Sequence, residues 1–138
     1  MVRHPSFMKI SLLLCSILVS FITECAAAVP PLAPAEAAKL VADGKAVLVD
    51  VREPAEWAEA GVAAPAVLLP KSDFDGDKKQ WKDFLAKVGD KQIILYCRSG
   101  RRADAVGQAL AAEGRSVANA GGLKDWVAAG LPTREAKP

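Results

Sequence analysis

The chain has 138 residues, 51% of them hydrophobic, with 18 Lys and Arg against 16 Asp and Glu, a formal charge of +2. So even a balance gives no support for nucleic acid or a membrane surface as a partner. The length suffices for one compact domain once an amino-terminal address is set aside, and not for two.

Residues 1–28 read as that address. Arg3 and Lys9 make a positive start, Ile10 to Ile22 is largely apolar, and Ala26-Ala27-Ala28 offers a small-residue cleavage site. The apolar run is shorter than the roughly 20 residues a membrane span needs. Cys25 invites a lipoprotein reading, but Glu24 before it is a poor fit to the small residue which that pattern wants. The expectation is a secretory signal peptide over 1–28, a single domain over 29–138, and an exported protein of the periplasm. Removing Arg3, Lys9 and Glu24 leaves 16 basic against 15 acidic residues, a formal charge of +1.

The remaining chain alternates helical patterns with apolar runs, the signature of a parallel α/β sheet. Pro34 to Asp43 reads as a helix with proline in its first turn and Gly44 as its stop. Ala46 to Val51 is an apolar run interrupted only by Asp50, as in a strand buried on both faces. Pro54 to Ala60 is a short helix and Val67 to Leu69 a short strand stopped by Pro70. Asp77 to Val88 carries Trp81, Phe84, Leu85 and Val88 at helical spacing. Gln92 to Tyr96 is the central strand, Arg102 to Glu113 the helix after it, and Ser116 to Ala118 a last short strand. Gly121-Gly122 then turns the chain into a final helix, Leu123 to Ala129.

Cys97 is the most informative residue. It follows the central strand and opens C-R-S-G-R-R, Cys97 to Arg102. A thiol flanked by cations and a helix N-terminus is placed to act as thiolate, which is the nucleophile. Cys15 and Cys25 leave with the address, so Cys97 has no partner for a disulfide within its own chain. The single histidine, His4, leaves as well, which removes Cys-His and Ser-His pairs and histidine metal ligands. Arg98, Arg101 and Arg102 are candidate anion binders, with Arg101 and Arg102 the preferred pair. Ser99 is a candidate donor to the sulfur, and Gly100 permits a tight turn whose amides form an anion nest. Asp50 and Arg52 read as a supporting pair beside the loop, and Trp57, Trp81 and Trp126 as packing residues. Asp73, Asp75 and Asp77 alternate like a calcium loop, but glycine falls at 76 and Phe stands at 84 where the closing Glu belongs.

Three segments carry a resemblance. They are the D-V-R-E of Asp50 to Glu53 with Glu56-Trp57, the Y-C-R-S-G-R-R of Tyr96 to Arg102, and the G-G-L-K-D-W-V-A-A-G-L-P of Gly121 to Pro132. In this order the chain resembles the single-domain rhodaneses, the small exported ones in particular, from about Pro34 to Pro132. It departs at Gly61-Val62-Ala63-Ala64-Pro65-Ala66, where the family often has Gly-His-Ile and a Gly-Ala step. The resemblance implies a five-stranded parallel sheet with helices on both faces. It also implies a sulfurtransferase carrying a sulfane sulfur from thiosulfate or a similar donor through a persulfide on Cys97. The acceptor would be cyanide, a small thiol or a dithiol protein. No cofactor or metal is needed, and a monomer is the default for a domain this small with no excess apolar stripe. A persulfide-carrying or partner-binding module without turnover is the alternative. Phosphatases and arsenate reductases of this fold need an arginine after cysteine and five residues, where this chain has Ala103.

Overall fold

The computed structural model describes residues 29–136. The expectations resting on residues 1–28, among them the signal peptide, Cys25 and His4, lie outside the described residues. Elements run in the order α1 (Pro34–Ala42), β1 (Ala46–Asp50), α2 (Pro54–Ala60), β2 (Val62–Ala63), β3 (Val67–Leu68) and α3 (Lys71–Asp75). They continue with α4 (Lys79–Lys87), β4 (Gln92–Cys97), α5 (Arg101–Ala112), β5 (Val117–Gly122), α6 (Leu123–Ala128) and β6 (Thr133–Arg134).

A parallel sheet in the order β3-β1-β4-β5 forms the centre. Alternate residues of its strands are buried on opposite faces, which is why β1 and β4 read as nearly unbroken apolar runs. Val49, Ile93, Leu95 and Cys97 pack with Phe74 of α3, Trp81 of α4, and Val106 and Leu110 of α5. Leu48, Ile94 and Tyr96 face the other way, onto Ala37 of α1 and Trp126 of α6. Helices thus cover both faces, as expected. Trp81 and Trp126 are core residues, and their indole N–H groups donate to the carbonyls of Pro70 (3.2 Å) and Pro132 (2.8 Å).

The fifth strand is reduced to a single bridge. Pro31 lies parallel to Asn119 on the free edge of β5, and the backbone bonds Leu32 N–H to Asn119 O and Asn119 N–H to Pro30 O are each 2.9 Å. Prolines at 30 and 31 have no N–H, so a longer ladder is not available to this segment. Two short strands were not expected: β2 and β6 form an antiparallel pair, Val62 with Arg134 and Ala63 with Thr133. β5 also runs on through Gly122, so the Gly-Gly step ends a strand and is not a turn.

Asp73 has a structural task in place of calcium. Its carboxylate accepts the N–H groups of Lys79, Gln80 and Trp81, each at 3.1 Å, and so caps the start of α4. That cap begins the helix at Lys79, two residues after the expected Asp77.

The chain leaves β1 toward β3 and leaves β4 toward β5, on opposite sides. The strand order therefore reverses between β1 and β4, and the crevice at their carboxyl ends is the topological switch point where open α/β sheets bind ligands. Asp50 ends one strand and Cys97 the other.

Candidate active site

Cys97 is fully buried, its side chain on the α5 face of the sheet. Its Sγ accepts a hydrogen bond from the Gly100 N–H at 3.0 Å. Gly100 has φ +90°, the left-handed conformation glycine adopts without strain, and it caps α5. The N–H groups of Arg101, Arg102 and Ala103 occupy the first turn of α5, where an α-helix offers no internal acceptor. A buried sulfur, one amide already on it and a helix start beside it make an anion nest.

This loop is seated on the end of β5. The ladder between β4 and β5 slips between Leu95 and Cys97, so that Leu95 faces Asn119 and Cys97 faces Gly122. Such irregularities re-aim residues beside active sites. Asn119 Nδ2 donates to Gly100 O at 2.8 Å while its Oδ1 accepts the Gly121 N–H at 2.9 Å. Gly122 has ordinary backbone angles, yet a Cβ there would stand 2.9 Å from the Arg98 carbonyl carbon and closer still to its oxygen. Glycine at 122 is required by contact and not by conformation.

Charged groups surround the loop in two pairs. Asp50 and Arg52 form a buried one, with Arg52 Nη2 at 2.7 Å and Nε at 3.1 Å from Asp50 Oδ2, while Nη2 also donates to Gly61 O at 2.7 Å. Burial alone would lower the Arg52 guanidinium, but the Asp50 carboxylate more than offsets it and leaves it raised. Tyr96 stands under this pair, 5.9 Å from ring centroid to guanidinium carbon, and its hydroxyl accepts the Ala63 N–H at 2.9 Å. Burial, then the Asp50 charge, pushes this phenol above its ordinary range, so it stays protonated. Tyr96 and β2 together hold the stretch where the chain departs from the family pattern.

The second pair was not foreseen. Arg102 makes two bonds of 2.8 Å to the carboxylate of Glu56 on α2. Glu56 also accepts the Glu53 N–H at 2.9 Å, closing a capping box at the start of that helix. The Arg102 bond holds the Glu56 carboxyl down at about 2. Arg102 is raised in turn, chiefly by its bond to Glu56.

Among the predicted loop residues the structure therefore separates Arg101 from Arg102. α5 begins at Arg101, and consecutive residues on a helix point about 100° apart, so only one of them turns to α2. Arg101 is exposed, as are Arg98 and Ser99. Arg98 lines an open cleft of about 470 Å³ between α2 and α6, which Glu56, Glu59, Leu123, Lys124 and Val127 also line. Cys97 does not line the cleft, though its neighbour Arg98 does. Asn119, Gly122 and the Glu56 partnership were missed by sequence reasoning. Glu56 had a signal, since it lies in the D-V-R-E-P-A-E-W segment that carried the resemblance.

Comparison with known proteins agrees with this geometry. The rhodanese-like domain family matches residues 33–129. A thiosulfate:glutathione sulfurtransferase of Saccharomyces cerevisiae is 30% identical over 96 residues, covering 64% of this chain and 69% of the yeast protein. The human single-domain sulfurtransferase superposes with a TM-score of 0.58 at 26% identity, over 72% of this chain and 96% of that one. The reduced CoADR-RHD of Bacillus anthracis superposes with a TM-score of 0.58 at 29% identity, over 71% of this chain but 16% of that larger protein.

Proposed function

The chain belongs to the rhodanese-like family, and we propose that it is a thiosulfate sulfurtransferase working through a persulfide on Cys97. The observation that carries this reading is the Cys97 sulfur under the Gly100 N–H at 3.0 Å, at the start of α5. In the first step the Cys97 thiolate attacks the outer sulfur of thiosulfate. The S–S bond of the donor breaks, sulfite leaves with the electron pair, and Cys97 carries the persulfide. In the second, a nucleophile attacks the outer sulfur of that persulfide, its S–S bond breaks, and the Cys97 thiolate returns. This is two-step covalent catalysis with a ping-pong pattern.

Each neighbour has a part in the cycle. The loop amides hold the negative sulfur in turn as thiolate and as persulfide, and they are fixed before reaction by Asn119 and Gly122. Arg102 supplies positive charge near the sulfur, held in place by Glu56. Arg98, Ser99 and Arg101 stand exposed around the loop, free to meet a dianionic donor. The buried Asp50–Arg52 pair supports the loop from the end of β1. Cyanide, glutathione or another small thiol serves as acceptor, the yeast relative's name supporting glutathione. Export through residues 1–28, and a monomeric form, complete the proposal; the support for export is the charged start and apolar run.

Intact mass of the domain before and after thiosulfate, and again after cyanide, tests it. A gain of one sulfur atom that is lost to cyanide as thiocyanate, and absent in Cys97→Ser, is the expected result. A well-folded protein that gains no sulfur refutes the reading.

A further inference from the structure

We propose that Arg134 is a positioning residue for the active site: its guanidinium clamps the turn Ala63–Ala66, and through that turn it fixes Tyr96, the residue before Cys97 in β4. This deepens the sulfurtransferase reading and rests on it.

The turn is poorly equipped to hold itself. Val62 to Ala66 carries no polar side chain, so donors for its carbonyls must come from the main chain or from other segments. Ala66 N–H donates to Ala63 O at 3.0 Å and closes the turn. Pro65 then falls at the third position, where proline is disfavoured in the commonest turn type, and it has no N–H to contribute. The ladder of β2 with β6 joins only Val62 to Arg134 and Ala63 to Thr133, with one further bond from Ala64 N–H to Pro132 O at 2.9 Å. An isolated two-stranded pairing is marginal at best. The Arg134 side chain makes up the difference. Its Nε donates to Ala64 O at 3.1 Å and its Nη2 to Ala66 O at 3.0 Å, so one planar fork spans the carbonyls on either side of Pro65. Among the described residues no carboxylate pairs with Arg134, so the turn is its partner.

The same stretch reaches the site. Gly61 O accepts Arg52 Nη2 at 2.7 Å, and Ala63 N–H donates to the Tyr96 hydroxyl at 2.9 Å. Ala63 and Tyr96 are both buried, so no solvent replaces that bond when the turn shifts. Tyr96 lies in register with Asp50 of β1 and is joined covalently to Cys97. Movement of the turn is thereby carried to the strand end that bears the sulfur.

The test mixes the full chain, Arg134→Ala and Arg134→Lys with saturating thiosulfate and follows sulfur gain by intact mass. Arg134→Ala should lower the rate constant of loading about tenfold, the scale on which a residue coupled to a site through its neighbours acts. A merely structural role would lower the fraction of chains that load and leave the rate constant of that fraction unchanged, which would overturn the proposal. Arg134→Lys keeps the charge and loses the fork, so it should also load slowly; full recovery would assign the effect to charge and overturn positioning. Tyr96 is the only tyrosine of the chain, so ring-labelled tyrosine gives one magnetic-resonance signal, which should shift in both variants. An unmoved signal overturns the route through Tyr96. A wild-type chain that gains no sulfur overturns the sulfurtransfer reading, and the role of Arg134 falls with it.

Discussion

Gly122→Ala places a methyl group against the backbone of the reactive loop. Its Cβ would lie 2.9 Å from the Arg98 carbonyl carbon, where ordinary carbon contacts begin near 3.5 Å. The loop must therefore retreat by roughly 0.6 Å at that carbon and further at the oxygen. No flexible side chain can yield, because the obstructing atoms are main chain. Overpacking of this kind costs about 1–3 kcal/mol. The same shift moves Arg98, and with it the short span to Gly100, whose N–H sits 3.0 Å from the Cys97 sulfur. A displacement on the ångström scale in a positioned group lowers a rate by about 100-fold. Urea unfolding should show the stability loss, and stopped mixing with thiosulfate followed by mass should show persulfide forming about 100-fold more slowly. A Gly122→Ala protein as stable as wild type that loads sulfur at the wild-type rate would refute the claim that this contact sets the loop.

Two further outcomes follow from the ion pairs. The Glu56 carboxyl is held down at about 2, chiefly by its bond to Arg102, so its contribution is complete above its ordinary value near 4.5 and is lost as pH falls from there toward 2. With each side chain 31% exposed, solvent screening limits the contribution to about 1 kcal/mol. Wild type should lose that much more stability than Glu56→Gln between pH 5 and pH 2.5, read from urea midpoints; parallel pH profiles would contradict the pairing. Asp50→Asn removes the charge that compensates Arg52, which is 3% exposed, and should cost about 3–5 kcal/mol. A thermal midpoint within a degree of wild type would show that Arg52 finds other compensation.

What the sequence displayed was local. The cysteine, its arginines and the apolar strand before it are adjacent in the chain, so chemistry and placement could be read together. Helix stops at Gly44 and Gly114 were legible because glycine there takes a left-handed φ, +71° and +86°. What stayed hidden depends on pairing across the chain. Arg102 meets Glu56 across 46 positions, and Asn119 meets Gly100 across 19. No periodicity encodes either meeting. The pair of β2 with β6 joins two dipeptides too short to show alternation. Gly121-Gly122 looked like a turn because composition favours one, whereas the requirement at 122 is room for another segment's carbonyl. Calcium-like spacing at Asp73 likewise came from a helix cap, since both uses need carboxylate oxygens close to a bend.

Asn119 holds two things at once. Its backbone takes up Pro30 and Leu32, and its side chain takes up Gly100 and Gly121. Nearby, Val29 fills the space beside Gly107 on α5, where a Cβ would stand 2.9 Å from Val29 Cγ2. The first described residues are thus mechanically in series with the sulfur-bearing loop, through one side chain and one helix. Trimming the chain past Leu32 is expected to leave the sheet paired and the nucleophile present, but to strip two backbone bonds from the strand that carries the loop's anchor, a loosening that slower sulfur loading of the trimmed chain would reveal.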